Sequence, residues 1–331
     1  MMKLGSTKLL CLAALFAAAL PLGSSRAQTA LEFPNRPVKL VVPYAAGGGF
    51  DIFTRAMAPG LSELWKQPVL VENRPGGNEI LAAEMVKQAA PDGYTLYIAS
   101  EAGLVNNPML FSKLSYLPSR DFAPVTRMID GQLVYVARNG IGVNSLKDYI
   151  AYGKRSGGKA NYGSSGTGGT GHIAMAWVGL SSKTEFTHVP YKGSAPIVQD
   201  MIAGIIDATI APLGLVDPFI KSGQIRAIGV TGQQRIKLLP EVPTVFETGD
   251  GTLDMTFFLG VVAPAGTPKP VLDKLSADIR KVVCSAAFRE RNSDPFGYVS
   301  VCDRPEEFGA FLAKDAEKRR ERITAANIKL D

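Results

Sequence analysis

The sequence predicts an α/β protein of two lobes, each built on a doubly wound mixed sheet, with a cleft between them. Three observations carry this expectation. Strand-like runs alternate with helix-periodic segments along the chain, which is the pattern of βαβ units. About 300 residues follow a leader-like N-terminus, and chains of that size usually outgrow one core and divide. Two extended stretches, residues 122–137 (FAPVTRMIDGQLVYVA) and 255–263 (MTFFLGVVA), interrupt the alternation and read as crossings between lobes. Lobe 1 is expected from residues 28–128 with 255–331, and lobe 2 from residues 129–254, with crossovers near 122–137 and 250–263.

Residues 1–27 stand apart. Lys3 and Lys8 precede an apolar run over residues 9–20 that contains Cys11, and Ser25-Arg26-Ala27 is a small-x-small cleavage pattern. The segment reads as a secretory signal peptide. Its apolar run is too short to span a bilayer, so the mature chain is expected to be exported and soluble. Removing Lys3, Lys8 and Arg26 lowers the net charge from +6 to +3. The one dense basic block, Lys318-Arg319-Arg320, is expected on the solvated face of a C-terminal helix. Nucleic-acid binders usually show a basic stripe interleaved with aromatics, and this chain shows none.

The elements are expected in this order. Residues 39–43 (KLVVP) form a short β-branched run and a buried strand. Ala45, Ala46, Gly47, Gly48 and Gly49 then have almost no side-chain bulk, and Asp51 begins an apolar-periodic helix. A strand, a bare loop and a helix N-terminus point several N–H groups at one place, where the helix dipole favours an anion. A strand at 68–73 and a helix near 79–89 follow, then a strand at 94–99. In the second lobe the same unit recurs: a strand at 160–162, the loop 163–171 (GSSGTGGTG) and a helix from His172. Two such loops would face each other across the cleft, at the carboxyl ends of strands where α/β sheets bind ligands.

Other chemistry is weakly signalled. Gly166-Thr167-Gly168-Gly169-Thr170-Gly171 formally matches G-x-G-x-x-G, with Glu185 near the place of a ribose-binding acid. The unit lies mid-chain in an exported protein, however, so no cofactor is expected. The same loop fails G-x-S-x-G, because Thr167 stands where the last glycine should be. His172 could bind a ligand or cap the loop, and Tyr191 lies in a turn near His188. Neither histidine has metal-ligand spacing to a Cys or His, so no metal is expected. No nucleophile or pair of acids stands out, which argues against an enzyme; an exported hydrolase-like α/β enzyme remains the alternative. Cys284 and Cys302, the two cysteines beyond the leader, suggest one disulfide between a helix around 272–283 and a strand at 298–301, with two buried thiols as the alternative.

A succession of motifs resembles one family. RPVKLVVPYAAGGGFD (36–51), QPVLVENRPG (67–76), PDGYTL (91–96), DFAPV (121–125), NYGSSGTGGTGH (161–172), HVPYKGSAP (188–196), IRAIGVTGQQR (225–235), LPEVPT (239–244) and APAGTP (263–268) occur in order over nearly the whole chain past the leader. They are similar to the Bug family, the substrate-binding proteins of tripartite tricarboxylate transporters. The resemblance implies a type II-like periplasmic-binding-protein fold, closing on a small organic carboxylate. It implies as partners the large and small membrane subunits of such a transporter, and a monomer in the periplasm. A ligand-binding component of a signalling system is compatible with the same fold. Carried onto this chain, the ligand would be held by Tyr44, Ala45, Ala46, Gly47, Gly48, Gly49 and Asp51 in one lobe. In the other it would meet Gly163, Ser164, Ser165, Gly166, Thr167, Gly169, Thr170, His172 and Tyr191.

The chain departs from the family at two places. After Arg74-Pro75-Gly76 the usual glycine-rich continuation becomes Gly77-Asn78-Glu79, a bulkier and acidic helix start. After the strand at 94–99 come Ser100 and Glu101, where small or hydroxyl residues are usual. Glu101 is expected either to line the pocket and select a ligand bearing a donor, or to turn to solvent or pair with a lysine.

Overall fold

The computed structural model describes residues 33–191 and 195–330; the leader expected over residues 1–27 and the turn at Lys192-Gly193 lie outside the described residues. In chain order the elements are β1 (Val38–Val42), α1 (Gly49–Trp65), β2 (Val69–Asn73), α2 (Ile80–Lys87) and β3 (Thr95–Ala99). A π-turn (Ala102–Asn106), α3 (Asn107–Leu110), α4 (Pro118–Asp121), β4 (Phe122–Gly131) and β5 (Leu133–Arg138) follow. Next come α5 (Leu146–Ser156), β6 (Asn161–Ser164), α6 (Thr170–Ser182), β7 (Thr187–Pro190), α7 (Ala195–Ile202), β8 (Ala208–Pro212), α8 (Leu213–Lys221) and β9 (Ile225–Val230). The chain ends with β10 (Phe257–Pro264), α9 (Lys269–Val283), α10 (Ala286–Asn292), β11 (Tyr298–Ser300) and α11 (Pro305–Ala325).

These strands form two mixed sheets. One has the order β11-β4-β10-β3-β1-β2, the other β7-β6-β8-β5-β9. In the first, β1 runs parallel to β2 and β3, while β10 is antiparallel to both β3 and β4. In the second, β6 runs parallel to β7 and β8, while β5 is antiparallel to β8 and β9. The strands that enter from the other sheet, β5 and β10, run antiparallel to their neighbours, as does the edge strand β11 to β4. Gln132 alone separates β4 of the first sheet from β5 of the second, and β10 returns to the first sheet after β9. A strand arriving from the other sheet needs no crossover helix, so nothing constrains it to run parallel.

Local sequence explains the central elements. The middle strands are apolar on both faces: β10 is buried at all eight residues, and β1 at all but Lys39. A sheet covered by helices on both faces requires this. Helix α1 buries Phe53, Thr54, Met57, Ala58, Leu61 and Trp65 on one face, at the spacing of an amphipathic helix. The Trp65 indole N–H donates to Asp278 Oδ2 of α9 at 2.7 Å, tying the N-terminal and C-terminal parts of the chain together.

Cys284 and Cys302 are bonded, with Cα atoms 6.3 Å apart and a sequence separation of 18. The loop they close carries α10 and β11, whose three residues make a short edge of the first sheet. Opening this loop to the unfolded chain's full freedom corresponds to about 3 kcal/mol. The Cys284→Ser, Cys302→Ser protein is expected to lose about that much stability in denaturant unfolding. A loss below about 1 kcal/mol would show that the bridge does little in the native chain.

The basic block expected on a solvated face divides instead. Arg319 is buried, Lys318 bonds Asp254 Oδ2 at 2.9 Å, and only Arg320 is exposed. Consecutive helical residues point about 100° apart, so three adjacent cations cannot share one face. Arg319 Nη2 donates to the Thr256 carbonyl at 2.6 Å, and Arg322 Nη2 to that of Thr252 at 2.7 Å. Both arginines thereby fasten α11 to the segment that enters β10.

Candidate ligand-binding site

The first glycine loop follows β1. Ala45, Ala46, Gly47 and Gly49 are exposed, and Gly47 has φ 83°, a left-handed turn that glycine adopts without cost. The N-cap of α1, Gly48, has no capping side chain, and its own amide donates to the Ala45 carbonyl at 3.3 Å. Asp51 does not enter the cleft. Its carboxylate is buried and accepts from Gly47 N at 2.8 Å, from Arg55 Nε at 2.9 Å and from Asn73 Nδ2 at 2.8 Å. These hydrogen bonds outweigh burial and hold its carboxyl below the usual range. Asp51 thus shapes the loop from behind.

Tyr44 is engaged by an acid. Its hydroxyl donates to Glu79 Oε1 and lies 3.2 Å from Ser100 Oγ. Ser100 also donates to Glu79 Oε1, and the Tyr97 hydroxyl donates to Glu79 Oε2. Glu79 is 2 % exposed and precedes α2 with φ 74°, after Asn78 at φ 52°. Two successive left-handed non-glycine residues are strained and persist only when their surroundings fix them. Here three hydroxyls fix Glu79, while Asn78 and Asn107 exchange hydrogen bonds at 2.7 Å. Burial pushes the Glu79 carboxyl up, and burial together with Glu79 raises Tyr44 well above an ordinary phenol.

The second glycine loop lies between β6 and α6. Ser165 and Thr167 are exposed, and Gly166 and Gly169 partly so. Gly163 is buried in β6, where a Cβ would meet Ile197 Cγ2 at 2.5 Å; its place is packing. Gly168 has φ 77° and lies close under Leu110 and Leu330, so the loop is pinned by the end of α3 and by the C-terminal segment. Ser164 turns inward, donating to the Gly166 carbonyl at 3.0 Å and meeting His188 Nε2 at 2.7 Å. His172 Nδ1 accepts from Gly168 N at 3.0 Å, and the two imidazoles stack with centroids 3.9 Å apart. His172 is therefore a loop-holding residue. Burial and the neighbouring His188 push its pKa down to about 4. The Tyr191 hydroxyl donates to Asp200 Oδ2 at 2.6 Å, while its backbone N–H donates to the Ser164 carbonyl at 2.8 Å.

The two units meet at Glu101. It follows β3, the neighbour of β1, and is 6 % exposed. Its Oε1 accepts from the hydroxyl of Thr170, the first residue of α6, and its Oε2 from Phe258 N at 3.2 Å. Of the two roles expected for Glu101, a turn to solvent is not seen, and among the described residues it pairs with no lysine. Burial pushes its carboxyl up, while the nearby Arg319 guanidinium opposes that rise. Sequence reasoning passed over Glu79 as a hydroxyl acceptor, Tyr97 as its donor and Arg319 as the cation beneath Glu101. The acidic replacement at 79 was the one visible signal. Among the described residues no group of His, Cys, Asp and Glu is arranged to hold a metal ion.

Comparison with known proteins places this geometry. Residues 53–328 match the family described as tripartite tricarboxylate transporter family receptor. The chain is 32% identical over 304 residues to the UPF0065 protein in the gbd 5' region of Cupriavidus necator, covering 92% of this chain and 91% of that one. The solved structure of R. palustris Rpa4515 with adipate superposes with a TM-score of 0.82 at 29% identity, over 90% of this chain and 99% of that one. MatC from Rhodopseudomonas palustris with bound malate gives 0.78 at 27% identity, over 88% and 100%. With a family match across most of its length, two mixed α/β sheets and a glycine loop on each, the chain belongs to the tripartite tricarboxylate transporter receptors, the Bug proteins, which are substrate-binding proteins and not enzymes.

Proposed function

We propose that this protein is exported to the periplasm, captures a small organic carboxylate between its two glycine loops, and delivers it to the large and small membrane subunits of a tripartite tricarboxylate-type transporter. The observation that carries the reading is the pair of strand–glycine loop–helix units, one on each sheet, adjoining where Glu101 meets Thr170. Uncapped amides at the start of α1 favour an anion, and the adipate and malate bound by structural neighbours support a carboxylate. Lobe 1 comprises residues 28–128 with 255–331 and lobe 2 residues 129–254, and closure turns on Gln132 and the segment between β9 and β10. The carrier works as a monomer. Hydrogen bonds to a charged acceptor contribute about 1.5–3 kcal/mol each, so four or five such bonds from amides and small hydroxyls can supply the ~8 kcal/mol of micromolar binding without an arginine clamp.

Thermal unfolding of the leaderless protein against a panel of organic acids tests this. An acid at 100 times its Kd is expected to add roughly 2.7 kcal/mol to stability. Sugars and nucleotides are expected to leave the melting temperature unchanged. A shift with a sugar or nucleotide and with no acid would overturn the reading.

A further inference from the structure

Resting on the reading of the cleft as a carboxylate site, we infer that the ligand carries a single carboxylate, its far end being uncharged or cationic, because two of the chain's own acids already hold the hydroxyl donors that a second carboxylate would use. In the second lobe Thr170 begins α6, whose N-cap Gly169 has no side-chain partner. A helix start of this kind favours a negative charge, and Glu101 supplies it from the first lobe by accepting the Thr170 hydroxyl. Its other oxygen is held by Phe258 N, so both oxygens accept, as those of a carboxylate do. The buried cation that attracts Glu101, Arg319, is 1 % exposed and already bonds Asp315 Oδ2 at 2.6 Å.

The first lobe repeats the arrangement. Glu79 takes the hydroxyls of Tyr44 and Ser100, two residues that would otherwise serve a ligand. What remains there for an anion is the loop row from Ala45 to Gly49 at the start of α1, in which the Gly47 amide is held by Asp51 and the Gly48 amide by the Ala45 carbonyl. One anionic end fits that row. A second, reaching toward α6, would meet Glu101 and find the Thr170 hydroxyl engaged. Like charges at short range in a low-dielectric cleft repel strongly, whereas an ammonium, amide or hydroxyl could donate to Glu101, and a methyl group would meet no charge of its own sign. In this respect the chain is expected to differ from the neighbours crystallised with adipate and malate.

Titration calorimetry with three sets of acids matched in carbon skeleton tests the inference. The sets are butyrate, 4-aminobutyrate and succinate; hexanoate, 6-aminohexanoate and adipate; and benzoate, 4-aminobenzoate and terephthalate. In the set that binds, a monocarboxylate is expected to bind the wild-type protein at least tenfold tighter than the diacid. Glu101→Gln is expected to reduce that ratio severalfold by removing the charge while keeping the shape. The wild-type ratios decide the matter even if the variant fails to fold. A diacid binding as tightly as its monocarboxylate partners would overturn the inference and leave the carboxylate reading intact. An unchanged ratio in a folded Glu101→Gln protein would overturn the role of Glu101. Binding by none of the nine acids would overturn the carboxylate reading itself, and the inference with it.

Discussion

Replacing Arg319 with methionine is expected to destabilise the protein by roughly 3–5 kcal/mol, the usual cost of removing one partner from a buried ionic cluster. The side chain is 1 % exposed and makes two short hydrogen bonds, to Asp315 Oδ2 and to the Thr256 carbonyl, each at 2.6 Å. Its charge also counters the burial of Glu101. Methionine fills much of the same volume, so the loss measures electrostatics and hydrogen bonding more than a cavity. Asp315 and Glu101 would be left beside apolar surface with no cation to offset their desolvation, and α11 would lose one of its two arginine fastenings to the entrance of β10. Lysine is no rescue, because a single ammonium cannot reach the carboxylate and the carbonyl in the planar geometry of a guanidinium. Urea unfolding at neutral pH checks this, with Arg320→Met as control. Arg320 is the next residue and is exposed, and its replacement should change stability by no more than about 0.5 kcal/mol. Similar small effects at both positions would mean that the buried cluster contributes little.

The contrast between these two arginines marks where sequence reading stops. Residues 318–320 look alike in composition, and α11 buries Phe308, Arg319, Arg322 and Ile323 together, so a hydropathy pattern points the wrong way along the helix. What buries the arginines is a row of carbonyls at Thr252, Asp254 and Thr256, more than sixty residues away and silent in any local window. Glu79 is a similar case. The loss of the family's glycines at 78 and 79 is visible in the sequence, but the hydroxyls that accommodate Glu79 come from positions 44, 97 and 100. By contrast, the two glycine loops and their flanking strands and helices are legible because each is a local statement: an apolar run, a stretch without side chains, a periodic segment. Strand direction falls between these limits. Alternation of strands and helices predicts parallel pairing, and β1, β2 and β3 obey it, whereas β10 enters from the other sheet and is free to run antiparallel.

Acidification is expected to unfasten the second glycine loop, and His172 sets the window. Its folded pKa, about 4, lies below the ordinary value of 6.5 because the ring is buried against His188, which burial also lowers. The unfolded chain therefore takes up a proton at higher pH than the folded one. Stability from this residue is complete above about 6.5, falls as the pH drops toward 4, and is lost below that. A shift of that size corresponds to roughly 3 kcal/mol. Structure gives the reason for the direction: Nδ1 accepts the Gly168 N–H, and an imidazolium has no lone pair with which to do so. Asp130, whose carboxyl burial raises to about 6, acts in the opposite sense, since it gains stability as the pH falls. A total stability curve therefore mixes the two, and the comparison must be with a variant. In His172→Gln the amide oxygen can still receive the Gly168 N–H but cannot titrate. Denaturant unfolding of both proteins at pH 7.5 and pH 4.5 should show the wild type losing more stability than His172→Gln by about 2–3 kcal/mol over that interval. Equal losses in the two proteins would show that His172 does not control the loop. A ligand held by this loop should then release from the wild type, and not from the variant, as the pH passes from 6 to 4.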